Sequence, residues 1–143
     1  MRIKINIPTP QCFKTEYKIG VADLNYGNHL GNDKVLSIAH QARVDWLSSI
    51  NQSELKFYNV GLIMVDSACQ YKNQGHLNDR ITIELSLEQT TKTGFNIYYL
   101  MKNQDDKKVA IVKTGMCFFD YENQKITTLS DNAILKLFGE ANE

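Results

Sequence analysis

The sequence predicts a single α+β domain, spanning residues 1–143, in which one long helix packs on an antiparallel sheet of five to six strands. Three observations carry that prediction. Apolar residues recur at three- and four-residue spacing from Leu30 to Ile50, the period of a helix with one buried stripe. After Gly61 they alternate with polar residues through four successive runs, the period of half-buried strands. The links between the later runs are short and polar, as antiparallel hairpins require.

The elements follow in chain order. Ile3, Ile5 and Ile7 alternate, but Pro8 and Pro10 close that run early and leave at most a short edge strand. Phe13, Thr15, Tyr17, Ile19 and Val21 alternate for longer and form a half-buried strand that delivers the chain to Asp23. Val35, Ile38, Ala39, Ala42, Trp46, Leu47 and Ile50 form the stripe of the long helix, which Asn28 or Asn32 is suited to cap, since an Asn side chain accepts from first-turn N–H groups. Ser53 is placed to cap a shorter helical turn through Tyr58. Strands then run through Ile63–Tyr71, Ile81–Glu88, Phe95–Met101 and Val109–Tyr121. The last is apolar on both faces near its middle and so belongs at the centre of the sheet. Ser130 or Asp131 caps a final short helix with Ile134, Leu135 and Phe138 on one side, and Gly139 ends it. One helix covers one face of such a sheet, so the other face and the edges need a partner or solvent-compatible residues.

Bulk properties exclude several function classes. A chain of 143 residues buries a core without disulfide or metal staples. Sixteen basic and sixteen acidic residues, with no long run of either sign, suggest neither a nucleic-acid nor a membrane partner. Cys12, Cys69 and Cys117 are odd in number, widely spaced and lack a C-x-x-C pair, which argues against a zinc site and against a secreted disulfide framework. The N-terminus lacks a signal peptide's apolar core, and no stretch is long and apolar enough to span a bilayer. These points predict a cytoplasmic protein.

The chemistry is concentrated in the segment DLNYGNHLGND, Asp23–Asp33, directly ahead of the long helix. The free amides and aligned dipole of the helix N-terminus, around Gly27 to Asn32, are the natural place for an oxyanion. Gly27 lets backbone approach a ligand. Asn25 has no useful basicity and can orient water or hold a carbonyl, whereas histidine is a residue type suited to general-base work, which makes His29 the candidate, with Asp23 to fix its tautomer or act directly. Each residue also has a plainer role open to it. Asp23 can simply accept backbone hydrogen bonds at a strand end, Asn28 and Asn32 can cap, and Gly27 and Gly31 can serve the turn. His40, beside the buried stripe, fits a packed helix position as well as a site. Arg43 needs a partner for its charge on a mostly apolar helix. His76 lies in the polar loop Asn73–Asp79 and carries no pattern. Lys72, Lys92 and Lys102 flank strand ends, and Lys92 sits beside the hydroxyls and amides of the Thr91–Gly94 turn.

The element order, the turn DLNYGNHLGND and the helix segment AHQARVDWL together resemble the hotdog-fold acyl-CoA thioesterases, in the 4-hydroxybenzoyl-CoA thioesterase-like branch. Against the family turn D-x-D-x-x-G-H-x-N-N and helix signature E-x-A-R, Asp23, His29, Asn32, Ala42, Arg43 and Trp46 match. Three positions depart. The second aspartate is Asn25, the glycine before the histidine is Asn28 with Gly27 one place earlier, and the helix glutamate is His40. The resemblance implies a long helix wrapped by the sheet, subunits paired edge to edge as a homodimer or homotetramer, and an active site at their interface. It implies hydrolysis of an acyl-CoA without metal or bound cofactor. Asp23, Asn25 and His29 are then the catalytic candidates, and Gly27, Asn28, Asn32, His40 and Lys92 the substrate-binding ones. A non-catalytic acyl-CoA-binding module is the alternative, and the enoyl-CoA hydratase turn D-x-N-P-x-H ranks lower because the proline is missing and the histidine comes one residue late.

Overall fold

The computed structural model describes residues 1–139. Six strands and two helices follow in the order β1 (Phe13–Lys18), α1 (Asn32–Ser49), β2 (Gly61–Tyr71), β3 (Arg80–Thr91), β4 (Gly94–Lys102), β5 (Lys108–Asp120), β6 (Lys125–Ile126) and α2 (Asp131–Phe138). All pairings are antiparallel, in the order β1-β3-β4-β5-β2. β6 joins the end of β5, pairing Phe119 and Asp120 beyond the point where β4 stops at Gly94. The architecture is the α+β arrangement expected, with β5 inside the sheet and almost continuously buried.

The helix lies against one face. Val35, Ile38, Ala39, Ala42, Trp46 and Leu47 of α1 pack on Ile81, Ile83, Leu85, Ile97, Tyr99, Met101 and Val112 of the strands. Over 18 residues, about 27 Å of helix, this stripe removes enough apolar surface to hold the two layers together.

Arg43 is the one charged side chain among the buried residues described, with 4% of its surface exposed. Its Nε donates to Glu54 Oε1 at 2.9 Å and a terminal nitrogen donates to Tyr99 Oη at 3.0 Å. A guanidinium only donates, so the Tyr99 proton is left for Thr114 Oγ1, 2.8 Å away. Burial alone would disfavour the guanidinium charge, but Tyr99 and Glu54 outweigh it and hold Arg43 charged.

Several local expectations are corrected. No strand forms at Ile3–Ile7. The segment instead crosses the sheet face opposite α1, with Ile5 N–H donating to Gln70 Oε1 at 2.9 Å and Gln70 Nε2 donating to Ile3 O at 2.6 Å. Cys12 N–H is fastened to Leu85 O at the far side of the sheet. The chain thus crosses from the β1 side to β2, over a face whose Ser86, Tyr98, Ile111 and Cys117 are buried outside the main core cluster. The segment after Ser53 is a turn, not a helix. Ser53 Oγ does accept from Lys56 N, yet Phe57 bridges to Val60 and packs its ring against both Phe95 and Phe118, at 5.8 and 6.3 Å. β1 ends at Lys18, and Val21 is exposed in a 3₁₀ turn, Val21–Asp23. In α2 the cap is Ser130, whose hydroxyl accepts from Ala133 N. Leu137 rather than Leu135 faces the core, because i, i+3, i+4 spacing from Ile134 selects Leu137 and Phe138.

No helix among the described residues is long and apolar enough to cross a membrane. The strand β2 is an edge with apolar Met64 and Val65 exposed around a bulge.

Removing Arg43 strands the Glu54 carboxylate and Tyr99 together. In urea titrations Arg43→Ala is expected to cost about 3 kcal/mol and Tyr99→Phe about 1 kcal/mol. The double variant should lose less than the sum, because both break one network.

Candidate active site

The polar turn is a small hairpin built before the helix begins. Leu24 bridges Leu30, and Asn25 N–H donates to His29 O at 2.8 Å. The Asn25 side chain then fills the loop, its Oδ1 accepting from Gly27 N at 2.8 Å and His29 N at 3.2 Å. This fixes the Asn25 amide so that its oxygen is spent on backbone and its Nδ2 is left for a ligand. Gly27 serves that packing: a Cβ there would stand 3.3 Å from Asn25 Oδ1. Asn28 takes the left-handed conformation at the tip, φ 63°, which asparagine tolerates better than most residues.

These bonds decide which amides remain for an oxyanion. Gly27 and His29 donate to Asn25 Oδ1, Asn28 to Asn25 O, Leu30 to Gly75 O, and Gly31 to Asp23 O. Within the expected Gly27–Asn32 stretch, only Asn32 N–H has no acceptor among the described residues, and the next, Asp33 N–H, has none either. These are the first two residues of α1, where the helix dipole favours negative charge. The N-cap is Gly31, without a side-chain bond, so neither Asn28 nor Asn32 caps the helix. A capping side chain would have occupied those amides.

Asp23 is placed differently from expectation. The 3₁₀ turn folds its carboxylate back onto Gly20 N at 2.8 Å, and Tyr17 Oη stands 2.9 and 2.8 Å from its two oxygens. Asp23 and His29 therefore make no hydrogen bond to each other among the described residues. Asp23 holds the entry to the turn while His29 faces a cleft. Burial, reinforced by the Asp23 hydrogen bond, pushes the Tyr17 phenol above its ordinary pKa.

The cleft is a hollow of about 390 Å³. Asn25, His29 and Asn32 line it from the turn, Val35 from α1, and Tyr71, Lys72, Asn73, Gln74, Gly75 and Val109 from the strand ends opposite. It combines an apolar floor, Leu30, Val35 and Val109, with convergent polar groups. Hollows of about 470 and 620 Å³ lie elsewhere, but neither is lined by a helix residue.

Of the sequence candidates, Asn25, His29 and Asn32 line the cleft, Asp23, Gly27 and Asn28 belong to the turn without lining it, and His40 and Lys92 lie away from it. His40 lies eight residues along α1 from Asn32, half exposed, with Nε2 3.1 Å from the Glu54 oxygen that also binds Arg43. Lys92 is in the β3–β4 turn, beside Thr93, whose carbonyl accepts from Phe118 N. Phe118 pairs Leu62, whereas the cleft is at the Tyr71 end of the same strand, so Lys92 is at the opposite end of the sheet. Of the three lysines singled out, Lys72 lines the cleft, and Lys102 is within 4 Å of Glu84 and Asp106.

Two residues of the β2–β3 loop were not legible as site residues. Gly75 O accepts from Leu30 N at 2.8 Å, an approach that a side chain would obstruct, since a Cβ would meet Ile19 and Leu30 at 2.9 Å. His76 brings its ring 5.2 Å from that of His29, nearly perpendicular at 81°. No periodicity marks either, because the contact joins loops 47 residues apart in sequence.

Comparisons with known proteins bear on the family and the fold. A family model described as the thioesterase-like superfamily matches residues 19–137. Among solved structures, a 1,4-dihydroxy-2-naphthoyl-CoA thioesterase from Synechocystis aligns with TM-score 0.77 at 21% identity, covering 87% of this chain and 96% of that one. A DHNA-CoA thioesterase from Staphylococcus aureus aligns with TM-score 0.72 at 13% identity, covering 87% and 82%. A Staphylococcus aureus protein solved in complex with CoA aligns with TM-score 0.77 at 12% identity, covering 94% and 88%. At these identities the likeness carries the hotdog fold. No curated protein matches the chain in sequence.

Tyr17→Phe should release Asp23 and cost about 1 kcal/mol in urea unfolding. Because folding raises the Tyr17 pKa, the stability it lends is whole below the phenol's unfolded pKa, about 10, and is lost as pH rises through the folded value. Above about pH 10 the wild type should therefore lose stability more steeply than the Tyr17→Phe variant.

Proposed function

Since this chain belongs to the thioesterase-like superfamily, we propose that it is an acyl-CoA thioesterase, hydrolysing its substrate to a free acid and coenzyme A. The observation that carries the reading is the convergence of His29, the Asn25 amide and Asn32, whose N–H is open, at one cleft, with the open N–H of Asp33 next along the helix. Thioester hydrolysis asks for those parts: donors where charge develops on the carbonyl oxygen, and a base on the other side of the carbonyl. The thioesterases and the CoA complex among the structural neighbours support the substrate class.

In the proposed reaction the carbonyl oxygen accepts from the Asn32 and Asp33 amides. His29 takes a proton from water as the hydroxide adds to the carbonyl carbon. The tetrahedral intermediate collapses with cleavage of the C–S bond, and the departing thiolate takes up the proton from His29. Asn25 Nδ2 holds the thioester or the water. Asp23 acts through the turn that it fastens, and Gly27 and Asn28 act through its shape. His40 and Lys92 would reach substrate only if it were held by a partner subunit.

The same reading includes a homodimer joined through the free edge of β2. That strand is eleven residues long and exposes Met64 and Val65, an unpaired apolar edge of the kind that pairs with another chain. A dimer formed there is the simplest closed assembly, and a tetramer would need a further surface. Three free thiols fit a reducing cytoplasm.

A thiol-release assay over acyl-CoA chain lengths and aryl-CoA substrates tests the reaction. His29→Ala should lower kcat about 10²-fold or more, and Asp23→Asn should lower it less, since its effect is indirect. Asn25→Asp should also lower the rate by removing the Nδ2 donor; a large gain instead would mark a binding module that has lost its acid. Release of no coenzyme A above background from any substrate overturns the assignment. Separately, Val65→Lys should convert the dimer to a monomer in light scattering, because a charge on the edge opposes pairing.

A further inference from the structure

We propose that His76 is a positioning residue for the base, holding the His29 imidazole by ring contact at the angle at which it faces the cleft. The inference rests on His29 acting as that base. His29 is firmly held in its backbone, which exchanges hydrogen bonds with Asn25 through both N–H and C=O. Its ring is not held in the same way. Neither ring nitrogen makes a hydrogen bond among the described residues, so both stay open to water and product, and the orientation must come from packing. The packing partner is His76, with ring centroids 5.2 Å apart and planes at 81°, the edge-to-face geometry that aromatic rings favour.

His76 is itself located from several directions. Its loop is tied to the segment around the turn by three backbone bonds, Leu30 N to Gly75 O, Ile19 N to Asp79 O, and Asn78 N to Ile19 O, each 2.8–2.9 Å. Its own N–H donates to Asp79 Oδ2 at 2.9 Å, and its Nδ1 lies 3.7 Å from the same oxygen. The other oxygen, Oδ1, accepts from Gln104 Nε2 at 2.9 Å. Asp79 is therefore occupied on both oxygens, and its side chain is only 13% exposed. The result is a chain of supports running from the β4–β5 hairpin through Asp79 and His76 to His29. His76 is 59% exposed at its side chain, so replacing it need not disturb the core.

Two substitutions in the full chain separate ring contact from every other role. His76→Ala should lower kcat about three- to tenfold, the population effect of losing one aromatic pair, with KM and melting temperature unchanged. His76→Phe keeps a ring edge and has no ring nitrogen, and it should restore kcat to near wild type. In proton–carbon NMR spectra the His29 ring signals should shift and broaden in His76→Ala and sharpen again in His76→Phe. The proposal is overturned if His76→Ala keeps full kcat, if it raises KM alone, or if His76→Phe loses as much as His76→Ala. The NMR arm does not depend on turnover. Should no acyl-CoA be hydrolysed, the thioesterase reading fails while the His29 signals still decide the contact, and unchanged signals in His76→Ala would end this proposal by itself.

Discussion

The arrangement depends on one buried charge. Arg43 lies in the apolar interface between α1 and the sheet, and a guanidinium there is tolerated only with its donors satisfied. Glu54 and Tyr99 accept from it, and Thr114 bonds Tyr99 in turn, so the network joins three separate parts of the chain: the connection after α1, β4 and β5. An apolar stripe alone would let a helix slide or rotate on its sheet, because hydrophobic contact has no direction. Directed hydrogen bonds to a fixed guanidinium remove that freedom. The position of the α1 N-terminus, and with it the floor of the cleft, follows from this anchoring.

At the cleft the governing constraint is the accounting of backbone amides. A turn rich in asparagine and glycine offers many donors, yet nearly all of them are consumed in shaping the turn itself. The two that stay open are those a helix cannot satisfy internally. Asn25 has a double part in this result. Its oxygen closes the loop and removes the Gly27 and His29 amides from contention, and the same bonds orient its amide nitrogen. The departure from the family aspartate at this position thus preserves the acceptor that the loop needs and exchanges a carboxylate oxygen for a donor.

Much of the fold was legible because periodicity is a local signal. Alternation in β3 and β4 and the three-four spacing of α1 name both element and buried face, and the short polar hairpins name the antiparallel order. What failed was equally physical. Ser53 reads as a helix cap, but the stacking of Phe57 against Phe95 and Phe118 required a turn. Ile3, Ile5 and Ile7 read as a strand, but their place across the outer face is set by the Gln70 side chain, which no spacing reveals. Asn28 and Asn32 read as caps, but the hairpin claimed one for its tip and left the other inside the helix.

The sequence by itself determined the class of fold, the long helix and its buried face, and the place where chemistry gathers. Those follow from the order of residues along the chain. The tertiary structure alone decided that Asp23 answers to Tyr17 and Gly20, that Lys92 and the cleft lie at opposite ends of the sheet, and that His76 meets His29. The Asp23 contacts are close in sequence but form only once the 3₁₀ turn folds the carboxylate back; the other two relations join residues far apart in sequence, and the packing of α1 on its sheet and of the β2–β3 loop on the turn sets their distances. Local propensity has no access to those distances, because they exist only once the layers have closed.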